Sequence, residues 1–214
     1  GLYFGTPIDV FKKIESQFYV QNVITNHDYE PYAKERDEAI KTFLKNHDIE
    51  FKSFKDQVIF EKDQVVKDDG DPYVVYTPYK NKWKEHFDPD KHLTIHYTSQ
   101  YLDNLLQHSR LPNPSLSDMG FETAALKVPD YCVTPSLIQD YGKTRDFPAI
   151  ENGTSRLGPH LRFGTASIRK MMKKAVAERS EVFWDELIWR EFFMQILWHF
   201  PRTVDEAFRK KYDR

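Results

Sequence analysis

Three side chains on one apolar segment have types and spacing suited to chemistry. Glu186, Trp189 and Arg190 lie at i, i+3 and i+4 within EVFWDELIWREFFMQILWHF, so a helix over residues 181–200 places them on one face. This helix is apolar nearly all round, and its few polar groups therefore need partners. Two interpretations stay open from the spacing: an internal Glu186–Arg190 ion pair with Trp189 as packing, or a face that lines a cavity.

A second polar stretch, NGTSRLGPHL, lies ahead of this helix. It combines a flexible Gly153, the hydroxyls of Thr154 and Ser155, the guanidinium of Arg156 and the free N–H groups of a helix start. These are the donors that bind an anion. The sequence contains neither GxGxxG nor GxxxxGK[ST], which excludes a Rossmann fingerprint and a P-loop.

The elements that must position these residues follow from hydrophobic periodicity. Helical spacing over residues 8–18 and 30–48 alternates with strand-like runs over 19–26 and 49–60. Helix, strand, helix, strand predicts right-handed crossovers on a parallel sheet. From about residue 134 onward the pattern is helical. The fold class is therefore an α/β N-terminal part with an incomplete parallel sheet, followed by an all-α part that is also incomplete.

Composition limits the function classes. The 214 residues are 40% apolar and 15% aromatic, which suits a globular core. Cys132 is the single cysteine and cannot form an intrachain disulfide, and no membrane span or export signal is visible. We therefore expect a soluble cytoplasmic protein. His86, His92 and His96 lie in a Pro- and Asp-rich stretch without a matching carboxylate or thiol, so no metal site is predicted.

Charge is distributed unevenly along the chain. Residues 141–214 carry 15 Lys and Arg against 10 Asp and Glu, although the whole chain has a net charge of only −2. A basic last third suits a surface that faces phosphate groups.

The longer motifs resemble a known family. YGKTRDFPAIENGTSRLGPHLRFGTASIR followed by ELIWREFF resembles the flavin-binding core of the DNA photolyase and cryptochrome family, most closely its bacterial cyclobutane pyrimidine dimer photolyases. NHDYEPYAKERDEAI, KDQVIF and YTPYKNKWKEHF resemble the second half of that family's N-terminal α/β domain. The resemblance implies an α/β antenna domain over 1–85, a connector over 86–125 and the first part of the helical FAD domain over 126–214. It also implies that the chain is a central fragment, which should carry little FAD as purified.

The resemblance assigns roles to individual residues. Glu186 and Trp189 are expected to face the damaged pyrimidine pair and thus to bind DNA. Arg190 is expected to reach toward the flavin and also to belong to the DNA-binding residues. Arg145 matches an arginine that the family uses near DNA. The positions expected to contact FAD are Tyr141, Thr154, Ser155, Arg156, Leu157, Gly158, Phe183 and Arg190.

The implied function is light-driven DNA repair. Reduced FAD, excited by light, would donate an electron to a pyrimidine dimer flipped out of the duplex, the ring would split, and the electron would return. A cryptochrome-type blue-light photoreceptor is the alternative, and an inert module without cofactor is a third reading. Ala33 stands where some members have a glutamate that binds folate, so the antenna chromophore is unidentified. We expect a monomer whose partner is DNA containing pyrimidine dimers.

Overall fold

The computed structural model describes residues 1–107 and 111–213. These residues form two compact units. The first comprises Gly1–Phe54 and His96–Lys127, and the second comprises Lys55–Ile95 and the chain from Val128 onward. In the described part of the chain, no helix has both the length and the apolar character that a membrane span requires.

The first unit contains two helices and two strands in alternation. They are α1 (Pro7–Gln17), β1 (Asn22–Asn26), α2 (Pro31–Lys45) and β2 (Glu50–Phe54). The strands pair in parallel, with Asn22 opposite Glu50. The predicted helix–strand alternation and the parallel sheet are therefore confirmed. The structure departs from the predicted strand bounds in two places: β1 begins at Asn22 rather than at residue 19, and β2 ends at Phe54 rather than continuing to residue 60.

The core of the first unit is small. Ile40, Leu44 and Ile49 are buried, and apolar side chains of α1 and both strands pack against them. The Thr6 hydroxyl accepts a hydrogen bond from the Asp9 N–H and caps α1, with proline at the next position. This is the cap preference that starts many helices.

The second unit is helical. It contains α3 (Tyr76–His86), α4 (Pro89–His92), α5 (Pro135–Thr144), α6 (Gly158–Arg162), α7 (Ile168–Ala177) and α8 (Glu181–His199). Short 3-10 turns occur at Lys62–Gln64, Pro201–Val204 and Lys210–Tyr212, and a further one, Thr98–Asn104, belongs to the first unit. The all-α character predicted for the end of the chain is confirmed, and so is the Thr-Pro start of α5, where the Leu137 N–H donates to the Thr134 hydroxyl.

Helix α8 lies at the centre of the second unit. It contacts α3, α5 and α7, and its Ile188 is completely buried. Gly142 of α5 allows one of these contacts, since a Cβ at this position would lie 3.2 Å from Cγ2 of Val182. A helix surrounded by others buries apolar side chains on most of its faces, which explains the apolar sequence of α8.

Residues 55–95 belong to the helical unit by their contacts. Trp83 and Tyr79 of α3 are almost fully buried, in the same core as Ile188 of α8. The grouping differs from the three-part division expected from the sequence, in which residues 1–85 form one domain. Large aromatic side chains bury much of the apolar area in a core, so they join α3 to the helices. The family's own domain boundaries stay a prediction.

Candidate functional site

A cavity of about 450 Å³ lies within the helical unit, a size typical of small-molecule sites. Its wall includes seven of the residues expected from the sequence to bind cofactor or substrate: Tyr141, Ser155, Leu157, Gly158, Phe183, Glu186 and Arg190. Five others complete the lining: Gln57, Leu161, Arg162, Leu187 and Met194. Most of this surface is apolar, with a few polar and charged groups.

Helix α8 provides one wall through a single face. Phe183, the adjacent pair Glu186 and Leu187, Arg190 and Met194 lie on successive turns of the helix, three or four residues apart. This spacing brings them into one stripe along the helix. Of the three residues whose shared face was considered as a cavity wall, Glu186 and Arg190 line the cavity and Trp189 does not. Leu187 and Met194 were missed, although the same spacing could have identified them.

The facing wall is formed by the TSRLG segment, residues 154–158, and the start of α6. Ser155 and Leu157 are buried. The Ser155 carbonyl accepts a hydrogen bond from the Cys132 N–H at 3.0 Å, and the Thr144 hydroxyl donates to the Gly153 carbonyl at 2.8 Å. These bonds hold an irregular segment in one conformation.

Arg156 and Thr154 lie outside the set of lining residues. Arg156 adopts the left-handed backbone conformation, with φ of 54°, which is uncommon for a residue with a Cβ. Its side chain is exposed, and its guanidinium donates to the Glu151 carbonyl at 2.7 Å. The structure therefore places this guanidinium on the loop that precedes the cavity wall.

Tyr141 and Phe183 form an aromatic corner of the cavity. Their rings meet edge to face, with centroids 5.0 Å apart. Burial raises the pKa of the Tyr141 hydroxyl, and a hydrogen bond with the Ser155 side chain acts in the opposite direction. Tyr141 therefore stays neutral and can donate a hydrogen bond inside the cavity.

Glu186 forms an ion pair with Arg145. The hydrogen bond to this carboxylate raises the pKa of the Arg145 guanidinium. Arg190, one turn further along α8, donates to the Gln57 carbonyl at 2.7 Å. Glu186 thus presents its carboxylate to the cavity, and the Arg145 guanidinium holds that carboxylate in place.

Trp189 lies at the flank of the cavity-lining stripe and outside the set of lining residues. Its ring stacks on Tyr76 of α3, with centroids 3.5 Å apart and planes at 10°. The Phe193 ring also stacks with it, with centroids 5.6 Å apart and planes at 25°. Tyr76 is held in this position because its hydroxyl donates to the Asp185 carbonyl at 2.7 Å. One face of the Trp189 ring is therefore covered.

Two residues of this region, Gln57 and Glu191, were not predicted from the sequence. Gln57 lies far from the other lining residues along the chain, and its segment was interpreted as a strand. Glu191 is 1% exposed, and its carboxylate accepts hydrogen bonds from the N–H groups of Ile59 and Phe60. A charged residue in so apolar a helix must have partners, but the sequence does not say which.

The chemistry of the cavity follows from its lining. The aromatic and aliphatic side chains suit a flat apolar group, and the guanidinium groups of Arg162 and Arg190 suit an anionic one. Within residues 1–107 and 111–213, no three His, Cys, Asp or Glu side chains cluster as a metal site would require.

Comparison with known proteins finds similar sequences. The DNA photolyase family model matches residues 2–96. A deoxyribodipyrimidine photo-lyase from Synechococcus sp. is 31% identical over 96% of this chain and 47% of its own length. The chain therefore spans about half the length of the curated relatives it matches.

Solved structures share the fold. A bacterial class III photolyase from Agrobacterium tumefaciens has a TM-score of 0.71 at 23% identity and covers 96% of this chain and 46% of its own. A Synechocystis cryptochrome has a TM-score of 0.65 at 15% identity, with 94% and 46% covered. The sequence motifs, the fold and these relatives agree, and the chain belongs to the DNA photolyase and cryptochrome family.

Proposed function

We propose that the cavity between α8 and the TSRLG segment receives FAD, and that the chain serves light-driven repair of pyrimidine dimers in DNA. The observation that carries the proposal is the lining of the cavity. Residues that the family resemblance assigns to the flavin, far apart in the sequence, meet around one space of ligand size.

The residues present fit a flavin nucleotide. A Cβ added at Gly158 would meet no atom within 4 Å, so a ligand can approach this backbone closely. The Tyr141–Phe183 corner offers an aromatic contact for a flat ring system. When bound, reduced FAD would supply the electron that splits the dimer after excitation by light.

Two guanidinium groups, Arg162 and Arg190, are the cations of the cavity wall. We propose that they bind the negatively charged part of the nucleotide, since charge-assisted hydrogen bonds to phosphate are the strong ones. Arg156 would act indirectly, by holding the Glu151 carbonyl and with it the loop ahead of Ser155. Thr154 would have a similar supporting role.

Glu186 and Trp189 would act on the damaged pyrimidine pair. The Glu186 carboxylate can accept a hydrogen bond from a pyrimidine N–H, and Arg145 orients it. Trp189 can stack on a base with the ring face that Tyr76 does not cover. Extrusion of the dimer from the duplex is least costly at a damaged and poorly paired site.

The function can be tested by repair in solution. The chain is mixed with excess reduced FAD and an oligonucleotide that contains one thymine dimer, and dimer loss is measured under blue light and in darkness. We expect light-dependent dimer loss that requires the chain, with Glu186→Gln slower than the parent. FAD uptake without dimer loss under light would favour the photoreceptor alternative, and no FAD uptake at all would contradict the proposal.

A further inference from the structure

We infer that Glu191 is a positioning residue of the cavity: its buried carboxylate holds the segment Lys55–Phe60 against α8 and thereby fixes the wall that Gln57 and Arg190 form. The inference rests on the proposed function in so far as the ligand of that wall is FAD. Glu191 itself is outside the set of lining residues and would act only through the segment.

The carboxylate binds the segment through both oxygens. Oε2 accepts from the Ile59 N–H at 2.7 Å and Oε1 from the Phe60 N–H at 2.9 Å. Oε1 also accepts from the indole N–H of Trp83 on α3. A carboxylate that is 1% exposed is costly unless it is well paired, and these three donors provide that pairing.

The rest of the segment is held by neighbouring arginines. Arg190 donates to the Gln57 carbonyl at 2.7 Å. Arg169 of α7 donates to the Asp56 carbonyl at 2.5 Å and to the Val58 carbonyl at 3.4 Å. Backbone groups from Asp56 to Phe60 therefore bond to side chains of α7 and α8, as buried backbone polar groups must find partners.

The consequence for the cavity follows from adjacency. Gln57 lies two residues before the first N–H that Glu191 binds, and Arg190 is the preceding residue on α8. Both line the cavity. Loss of the Glu191 bonds would free the Ile59 and Phe60 end of the segment, and the Gln57 carbonyl that orients the Arg190 guanidinium would move with it.

Only a carboxylate of this length satisfies the site. Both oxygens must accept, so Glu191→Gln would turn an NH₂ group toward a backbone N–H and leave that donor unpaired. Glutamine keeps the volume of the side chain. The substitution therefore changes the hydrogen bonds of the segment with little change in packing.

The test compares two variants of the 214-residue chain. Glu191→Gln disrupts the hydrogen bonds from the Ile59 and Phe60 N–H groups to this side chain. Val65→Ala lowers stability at a buried site outside the cavity lining and leaves those hydrogen bonds in place. Amide hydrogen exchange at Gln57, Ile59 and Phe60 reports the segment, and FAD affinity reports the cavity. We expect exchange there to rise at least about tenfold more in Glu191→Gln than in Val65→Ala, with about tenfold weaker FAD binding in Glu191→Gln alone.

The outcomes separate the inference from the proposed function. Equal weakening of FAD binding in the two variants, or equal exchange at Ile59 and Phe60, would show that Glu191 only supports the fold. Absence of FAD binding to the parent chain would overturn the proposed function, while the exchange comparison would still decide the role of Glu191. Should Glu191→Gln fail to fold, loop-like exchange of Ile59 and Phe60 in the parent would overturn the inference, and helix-like protection would support it.

Discussion

The Trp189 ring lies flat on the Tyr76 ring, with centroids 3.5 Å apart. This stack joins α8 to α3, and the hydrogen bond from the Tyr76 hydroxyl to the Asp185 carbonyl fixes its geometry. Trp189 therefore has a structural contact on one face, and any base that stacks on it uses the other. Packing and recognition can both depend on this one side chain.

Substitution of Trp189 separates the two roles. Trp189→Ala should lower the free energy of unfolding by about 3 kcal/mol, the lower end for removal of a large aromatic side chain, because the ring is only partly buried. If the ring face that Tyr76 does not cover binds a base, affinity for dimer-containing DNA should fall by a further 1 to 3 kcal/mol, roughly, and affinity for intact DNA should not. Thermal unfolding beside two binding titrations at one salt concentration measures all three quantities. Equal losses for both DNAs would remove the recognition role.

Tyr76→Phe provides the matched control. It keeps the stacked ring and removes only the hydrogen bond to Asp185, at a cost of about 1 kcal/mol. Selectivity for damaged DNA should be unchanged in this variant, since the Trp189 ring stays in place.

Arg162 and Arg156 should differ in their effect on FAD. Arg162→Ala removes a guanidinium from the cavity wall, and we expect FAD affinity to fall by about 1.5 to 3 kcal/mol. Arg156→Ala should have a smaller effect, because the Arg156 guanidinium bonds to the Glu151 carbonyl. Fluorescence titration of FAD with each variant tests this order. A larger loss in Arg156→Ala would mean that this side chain turns toward the nucleotide on binding.

Much of this site could be anticipated from the sequence. The spacing of Glu186 and Arg190 placed both on one face of α8 and left open whether that face lines a cavity, and the resemblance assigned Tyr141 and Ser155 to the flavin. The side-chain direction of Arg156 could not be predicted, because it depends on a left-handed backbone conformation that non-glycine residues rarely adopt. The pairing of Glu186 with Arg145 depends on how α5 packs against α8, which no local pattern contains.

The end of β2 shows the same limit in the fold. Alternation from Ile49 to Phe60 predicted one strand. The N–H groups of Ile59 and Phe60 instead donate to Glu191, which lies 132 and 131 residues further along the chain, respectively. Alternation reports only that a segment is half-buried and extended. Which partner satisfies its backbone is decided by contacts that are distant in sequence.

The stability of the protein should depend on pH through Glu191. Burial raises the pKa of its carboxyl from the ordinary 4.5 to about 7, against the opposing effect of the Trp83, Ile59 and Phe60 donors and of nearby Lys55. The folded state then binds an extra proton between these two pH values. The contribution of Glu191 to the free energy of unfolding should therefore be largest below pH 4.5. This contribution should fall by about 3 kcal/mol as the pH rises to 7.

Urea unfolding of the parent and of Glu191→Gln between pH 4.5 and 8 isolates this contribution. The difference between the two proteins cancels the other titrating groups. We expect the advantage of the parent over the variant to shrink as the pH rises. A difference that is constant or grows with pH would show that the N–H donors outweigh burial and keep the carboxyl ionised.

The ion pair between Glu186 and Arg145 should contribute little to stability. Both side chains are about one-third exposed, and exposed pairs typically contribute about 0.2 to 1 kcal/mol. A double-mutant cycle with Glu186→Gln and Arg145→Gln, followed by urea unfolding, measures the coupling. A coupling above about 2 kcal/mol would indicate a buried pair that is not available for substrate.

The most direct test of the flavin cavity is FAD titration of a chain whose cavity is blocked. Gly158→Leu places a side chain in the open space beside the α6 backbone, and Lys170→Leu adds the same side chain at an exposed position on α7. Flavin fluorescence anisotropy should show saturable binding to the parent and to Lys170→Leu, and at least about tenfold weaker binding to Gly158→Leu. Equal FAD affinity in all three proteins, with Gly158→Leu folded, would contradict the assignment of this cavity to the flavin.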